Sequence, residues 1–502
     1  METISGLDLE ALNRARVSRD PRFDGRFYIA VTSTGIYCRP ICPSRYAKLA
    51  NVRFFGTPAA AEAAGFRPCL RCRPEAAPGT PAWLGTAAVV RRALRLINDG
   101  ALDEDSVDTL AGRLGIGPRH LLRLFGRHVG ASPIAVAQTR RLHFAVCLLE
   151  ETNLPITQIA MAAGFGSCRR FNDAFRSTYH RAPRELRRAR RRGGAPNTEE
   201  VVLRLAYRPP YDWNHMRDFL ATRAVAGVER VDERGYARTV RCEGGHAVIC
   251  MRALPGEDAL ELRVAGAAPA ALLQISSVAR RVFDLAADPQ RIGTELANDP
   301  IVGPLLRARP GLRIPGAWDP FECAVRAVLG QQVSVAAGRT FAARLVERAG
   351  IECAGGDALT HLFPDAVALS RVNLEGLGMT RSRAATLHAL ARAVLERRID
   401  FSGAPEEVTA AMAAVPGIGP WTAQYVALRA LGEPDALPSG DLVLRRMAGA
   451  AARLLSVREL EARARDWQPW RGYAVMHLWQ QAAAATRPNE VRKRPVSARA
   501  AR

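Results

Sequence analysis

Val415–Leu442 reads VPGIGPWTAQYVALRALGEPDALPSGDL. Gly417-Ile418-Gly419 is a two-glycine turn, and Pro420 suits a first helical position, where its missing N–H would have no intrahelical partner. Trp421, Tyr425 and Leu428 then fall at i, i+4 and i+7, on one helical face. A turn that feeds free amides into a helix start is a ready anion site. Some way downstream, Asp441 follows the small, turn-forming Pro438-Ser439-Gly440. Anion site, aromatic face and acid together suit chemistry on a flat substrate that carries phosphate.

This stretch resembles the helix-hairpin-helix DNA glycosylases. The resemblance implies that the turn at Gly417 and Gly419 grips the DNA backbone and that Asp441 is the catalytic acid beside a flipped nucleotide. Breaking an N-glycosidic bond builds positive charge on the sugar, which a carboxylate stabilises while it orients or deprotonates water. Trp421, Tyr425 and Trp479 are the expected base pocket, since alkylated purines are cationic and aromatic faces attract cations. A core stripe is the alternative reading for each ring. Some enzymes of this family use a hairpin lysine as nucleophile. Trp421 takes that place here, and the only lysines are Lys48 and Lys493, so a glycosylase without lyase activity is expected.

The resemblance to AlkA-type 3-methyladenine glycosylases runs from about residue 201 to 482. It includes RPPYDWNHMRDFLATRA and a helical region over Phe321–Leu345 carrying GQQVSVAAGRT. In that family a residue just after the GQ wedges into the gap left by the flipped base. Here it is Gln332, which fills such a gap less well than leucine does. Upstream, VVLRLAYR alternates as a strand does, and short strands are expected near 228–231, 236–240, 247–251 and 260–264. A helix is expected over Ala268–Leu285. No catalytic set is visible in this α+β unit, so a structural role is expected of it.

The N-terminal part carries Cys38-Arg-Pro-Ile-Cys42 and Cys69-Leu-Arg-Cys72. Two short-spaced pairs suit tetrahedral zinc, one ion per chain, with Cys38, Cys42, Cys69 and Cys72 as ligands. Arg39, Arg45, Arg53, Arg67, Arg71 and Arg73 crowd these cysteines, where cations favour ionised thiols and would hold a phosphate. VTSTGIYCRPICPSRYA, NVRFF and AAGFRPCLRC resemble the methyl-acceptor domain of the Ada adaptive-response regulators. The resemblance implies that Cys38 takes a methyl group from a methylated DNA phosphate. Losing one thiolate charge would then relieve repulsion from DNA. A purely structural zinc knuckle is the competing reading.

Val107–Arg127 and Ile156–Tyr179 repeat one plan, two short helices around Gly115-Ile116-Gly117 and Gly164-Phe165-Gly166. Two such units resemble the AraC-type DNA-binding domain. Their second helices carry Arg119, His120 and Arg123, then Ser167, Arg169, Arg170 and Asn172, including side chains that read base edges in the major groove.

A chain of 502 residues exceeds one core, and its net charge of +22 favours nucleic acid as partner. Ten cysteines in this length are too few for a disulfide scaffold, and no apolar run spans a membrane, so a cytoplasmic protein is expected. The expected fold is multidomain and mainly α. Residues 1–75 form a small zinc-bound α/β domain and 84–192 an AraC-type double helix-turn-helix. Residues 198–286 form an antiparallel α+β domain, 287–485 an all-α helix-hairpin-helix domain, and 486–502 a disordered basic tail. A Pro/Ala linker is expected over 74–83 and an arginine-rich solvated run from Arg184 to Arg192. The functional expectation is a damage sensor and transcription activator fused to a base-excision glycosylase. Its expected partners are damaged and promoter double-stranded DNA, with RNA polymerase as the candidate protein partner. The alternative is a regulator whose C-terminal half only binds DNA.

Overall fold

The computed structural model describes residues 4, 7–78, 88–103, 105–188, 200–353, 356, 358–449 and 453–486. The linker beyond Pro78, the arginine run beyond Arg188 and the tail from 487 lie outside the described residues. Thr486, expected in the tail, instead closes the helix Arg471–Thr486.

Near the N-terminus, strands Val52–Phe55, Tyr28–Val31 and Ile36–Cys38 pair antiparallel, and Arg67–Pro68 adds a parallel edge beside Ile36–Cys38. The helix Pro58–Ala63 starts where Thr57 accepts from Ala60 N and Pro58 fills the first turn. Its Ala61 packs with Tyr28, Tyr37 and Phe66.

The two helix-turn-helix units follow. Helices Val107–Arg113 and Pro118–His128 form one, Ile156–Ala162 and Cys168–Tyr179 the other, joined by the long helix Pro133–Glu151. Gly115 (φ +69°) and Gly164 (φ +76°) end the first helix of each pair in the left-handed region that glycine enters without a Cβ clash. Leu110, Leu121 and Phe125 are buried in one unit, Phe171, Phe175 and Tyr179 in the other.

A five-stranded antiparallel sheet comes next, in the order Glu200–Ala206, Ala259–Ala265, Gly245–Ala253, Gly235–Cys242, Glu229–Asp232. Alternation puts Leu203, Leu205, Ile249, Met251, Leu260 and Leu262 inside. The helix expected over Ala268–Leu285 is narrower, Leu272–Val282 after a 3₁₀ turn at Pro269–Ala271, and Asp284 at φ +50° closes its exit.

The C-terminal unit is helical, with a small strand pair, Ile351–Glu352 with His361–Leu362, that the reading of the sequence lacked. The helical region over Phe321–Leu345 is two helices, Pro320–Leu329 and Val335–Ala349. Asp319 caps the first and Ser334 the second, and the chain doubles back between them. The fold-back brings Gly338 so close that an added Cβ would lie 3.3 Å from the Gly330 Cα. Trp467 and Trp470 are fully buried, and their indole N–H groups donate to Asp299 (2.8 Å) and Glu295 (2.9 Å). Burial with a satisfied N–H makes each a core anchor whose loss costs about 3–5 kcal/mol.

A buried, charge-balanced cluster ties sheet to helices. Arg238 meets Glu322 at 2.7 Å, and Arg326 meets Glu229 and Glu322 at 2.9 Å each. The N-terminal units also dock on the glycosylase-like part. Arg26 and Asp288 form a buried ion pair at 3.0 Å, Glu151 accepts from Arg204 N at 2.9 Å, and Arg281 meets Asp99 at 3.2 Å. No helix of the described residues is long and apolar enough to cross a membrane.

Candidate functional site

Helix Pro405–Ala413 leads into the hairpin and Pro420–Arg429 leaves it. Gly417 sits at φ +88°, and a Cβ there would lie 2.0 Å from Thr386 Oγ1, so torsion and space both demand glycine. Gly419 is the N-cap and brings no side-chain cap. The first-turn amides of Trp421 and Thr422 therefore have no intrahelical partner. A Cβ at Gly419 would meet nothing within 4 Å, so the approach is open. Bare amides at a positive helix end make a fitting seat for phosphate.

Asp441 is half-buried at the N-cap of Leu442–Met447. Its Oδ1 accepts from Leu444 N at 2.9 Å, and its Oδ2 accepts from Trp421 Nε1 at 3.0 Å. The helix start fixes the carboxylate, and the indole aims it at the hairpin. Leu442 and Val443 follow it outward, 61% and 44% exposed. That apolar surface beside the acid had no periodic signal in the sequence.

Trp421 and Tyr425 stack with centroids 5.4 Å apart and planes at 19°, and Tyr425 meets Trp479 at 6.1 Å and 49°. All three are partly exposed, whereas Leu428, the third member of the i, i+4, i+7 face, is buried in the core. The α+β unit, expected to be structural only, supplies Phe219 and Arg223 to this cluster. The Arg223 guanidinium lies 3.8 Å from the Phe219 ring centroid, and burial pushes its pKa down, partly offset by Tyr425. Arg429, itself buried, donates to the Tyr425 hydroxyl at 2.6 Å and to the carbonyls of Pro315 and Gly316. It also lies 5.5 Å from the Tyr425 ring and 4.5 Å from the Phe219 ring. The protein's own cations thus face Tyr425 and Phe219, while among the described residues Trp421 and Trp479 face none. The tryptophan rings are thus the ones in this cluster without a protein cation over them, among the described residues. Arg223 meets Tyr425 and Phe219 meets Arg429 across contacts far apart in sequence, which no spacing rule could have found.

Gln332 stands in the turn between Pro320–Leu329 and Val335–Ala349 rather than within a helix. It is exposed and holds φ +55°. Next to it, Gln331 is bonded to the hairpin.

The four cysteines converge. Cys38 ends one strand, Cys69 follows the parallel edge strand, and the Cys69 amide donates to Tyr37 O at 2.9 Å. All four Sγ atoms lie within 4.8 Å of one another. Tetrahedral zinc with bonds of about 2.3 Å needs sulfurs roughly 3.8 Å apart, so the set fits the ion. Cys42, Cys69 and Cys72 are buried, and Cys38 is the more accessible one. The surrounding arginines divide in a way their spacing does not indicate. Arg39 is paired to Asp24, with Nε 2.9 Å from Oδ1, and Arg73 is paired to Glu75 and Glu150. Arg53 lies over Phe55 and Phe66. Arg39 reaches the sulfurs through its backbone, whose N–H donates to Cys72 Sγ at 3.3 Å. Arg45 and Arg71 are exposed and remain candidates for phosphate.

On the helix-turn-helix units, Arg119 and Arg123 lie on the exposed side of Pro118–His128, and Arg169 and Arg170 on that of Cys168–Tyr179. Arg123 bonds His120 at 2.9 Å. Two other residues expected on these second helices are engaged locally. Ser167 is the N-cap, accepting from Arg170 N at 3.3 Å, and Asn172 donates to Cys168 O at 2.8 Å.

Four family descriptions match the chain. "Metal binding domain of Ada" covers 11–75 and "Helix-turn-helix domain" covers 110–189. "AlkA N-terminal domain" covers 202–319 and "HhH-GPD superfamily base excision DNA repair protein" covers 325–470. The chain is 41% identical to a probable bifunctional transcriptional activator/DNA repair enzyme AlkA of Mycobacterium tuberculosis, over 94% of this chain and 96% of that protein. It is 36% identical to DNA-3-methyladenine glycosylase 2 of Escherichia coli, over 55% of this chain and 95% of the relative. A solved 3-methyladenine DNA glycosylase from Archaeoglobus fulgidus shares the fold, with a TM-score of 0.51 and 19% identity over 56% of this chain and 99% of its own.

Proposed function

The chain belongs to the family of bifunctional transcriptional activator/DNA repair enzymes that join an Ada-type half to an AlkA-type half, and on that premise we propose that Asp441 and Cys38 are its two reactive groups. The protein is a transcription activator and a DNA-repair glycosylase in one chain, with double-stranded DNA as the shared partner. RNA polymerase is the candidate protein partner of the promoter-bound half.

The glycosylase half hydrolyses the N-glycosidic bond of alkylated bases of the 3-methyladenine type. The hairpin amides around Gly417 and Gly419 hold a backbone phosphate. The extruded base rests against Trp421, Tyr425 and Trp479, and Phe219 and Arg223 back this cluster through Arg429 and Tyr425. The C1′–N bond breaks with its electron pair going to the cationic base, which leaves neutral. Asp441 faces the positive sugar, and water adds to C1′ as Asp441 orients it and takes its proton. No lysine stands near this acid in the sequence, so the strand stays uncut. The observation that supports this reading is the 3.0 Å bond from Trp421 Nε1 to Asp441 Oδ2, which joins the carboxylate to the ring that follows the glycine hairpin. Release of free base from alkylated duplex DNA by wild type but not by Asp441→Asn tests it.

The sensor half binds one zinc ion through Cys38, Cys42, Cys69 and Cys72. Bound zinc keeps these sulfurs ionised at neutral pH. The Cys38 sulfur attacks the methyl carbon of a methylated phosphate, an S–C bond forms, the O–C bond breaks, and a phosphodiester anion leaves. The greater exposure of Cys38 supports its role over the other three. Arg119, Arg123, Arg169 and Arg170 are the proposed promoter contacts.

A further inference from the structure

Gln331 is engaged by two elements distant in sequence. Its Nε2 donates to Gly417 O at 3.0 Å and to Thr422 Oγ1 at 3.0 Å. A carbonyl can only accept, so the amide orientation is settled by Gly417. The Gln331 backbone carbonyl accepts from Arg383 at 2.6 Å. Arg383 belongs to helix Arg381–Leu395, which also supplies Thr386, the side chain against Gly417. Thr422 is buried at 2% exposure, so one of the amide's partners is part of the core. Gln331 is thus fixed at both ends, by side chain to the hairpin and by backbone to a third helix. Directly after it, Gln332 holds a left-handed backbone, which a non-glycine residue keeps only when its surroundings impose it.

We propose that Gln331 is a positioning residue that locks the turn carrying Gln332 to the phosphate-gripping hairpin, so that insertion into the base stack and grip on the backbone act as one rigid contact. The proposal rests on the glycosylase reading above. Extruding a base from duplex DNA takes a few kcal/mol, which contacts on the strand must supply. A loop that shifts relative to the hairpin delivers that energy out of register, because such contacts tolerate displacements of only about 0.5 Å. Chemistry at Asp441 is a separate matter once the base is in the pocket.

The test compares an alkylated purine in fully paired duplex with the same lesion in an unpaired context, where extrusion is cheap. Gln331→Met keeps the stem and most of the volume but has no donor, and Gln331→Ala removes both. The ratio of duplex rate to unpaired-lesion rate is expected to fall about ten-fold in both variants, a change of about 1.4 kcal/mol, within the net worth of two neutral hydrogen bonds. Gln331→Met with the wild-type ratio, or with both rates lowered equally, overturns the proposal. A second readout keeps it separate from the enzyme reading. In an Asp441→Asn background, a 2-aminopurine placed beside the target should brighten on binding, and Gln331→Met should bind with less brightening. Brightening unchanged by Gln331→Met also overturns the proposal. Brightening that depends on Gln331, with no base released by otherwise wild-type protein, supports the proposal while the enzyme reading fails.

Discussion

Replacing Asp441 by Asn separates charge from shape at the proposed reactive centre. Asn caps a helix as well as Asp does, so the bond to Leu444 N survives, and the fold should too. What disappears is the negative charge and one acceptor, since the new amide can no longer satisfy both Leu444 N and Trp421 Nε1. A full charge about 4 Å from the sugar cation is worth about 4 kcal/mol at the effective dielectric of a partly exposed site. At about 1.4 kcal/mol per factor of ten, base release should slow about 10³-fold. The assay is single-turnover release of 3-methyladenine from duplex DNA, read with thermal unfolding on the same preparation. Trp421→Phe, which keeps a ring but loses the N–H, should slow wild type and add little on top of Asp441→Asn, because both act through one bond. The reasoning is refuted if Asp441→Asn, folded and DNA-binding, releases base at the wild-type rate.

Three further outcomes follow from the same geometry. After exposure to methylated DNA, mass spectrometry should place a single methyl on Cys38, and a methyl on Cys42, Cys69 or Cys72 instead would overturn that assignment. Borohydride trapping with a lesion-bearing duplex should give no covalent protein–DNA adduct, and strands should break only on alkaline treatment; a trapped adduct would contradict hydrolysis led by Asp441. Burial pushes the Asp284 carboxyl up to about 6, above its unfolded value, so the folded protein holds this proton longer than the unfolded chain does. Stability from this group is therefore lost as pH rises from about 4 through about 6, a cost of about 3 kcal/mol at neutral pH. Asp284→Asn can still accept from Tyr473 and Ile314, and asparagine tolerates the φ of +50°. Denaturant titrations should find it more stable than wild type at pH 7, with the gap closing near pH 4; a gap that does not change with pH would count against it.

Local patterns carried most of the architecture. The paired cysteines, the glycine turns of the two helix-turn-helix units, the alternating strands and the PGIGP turn each state their geometry within a few residues, and Gly115, Gly164 and Gly417 take the positive φ those turns require. Contacts between distant segments were not legible. Nothing in RPPYDWNHMRDFLATRA singles out Phe219 and Arg223, and only their contacts with Arg429 and Tyr425 bring them to the aromatic cluster. The Phe321–Leu345 region is apolar enough to continue as helix, but the fold-back of Gly338 onto Gly330 breaks it and leaves Gln332 in a turn. Clustered arginines around the cysteines suggested a common anion site. Asp24, Glu75 and Glu150, which neutralise two of them, come from outside that cluster's motifs.

The central claim is that one chain carries two reactive centres, one for backbone damage and one for base damage. Purified wild-type protein incubated with methylated duplex DNA tests it in a single sample. The account predicts free alkylated base in solution together with one methyl group on Cys38. A methylated Cys38 with every base still attached to the DNA would contradict it, and would leave the C-terminal half as a DNA-binding module alone.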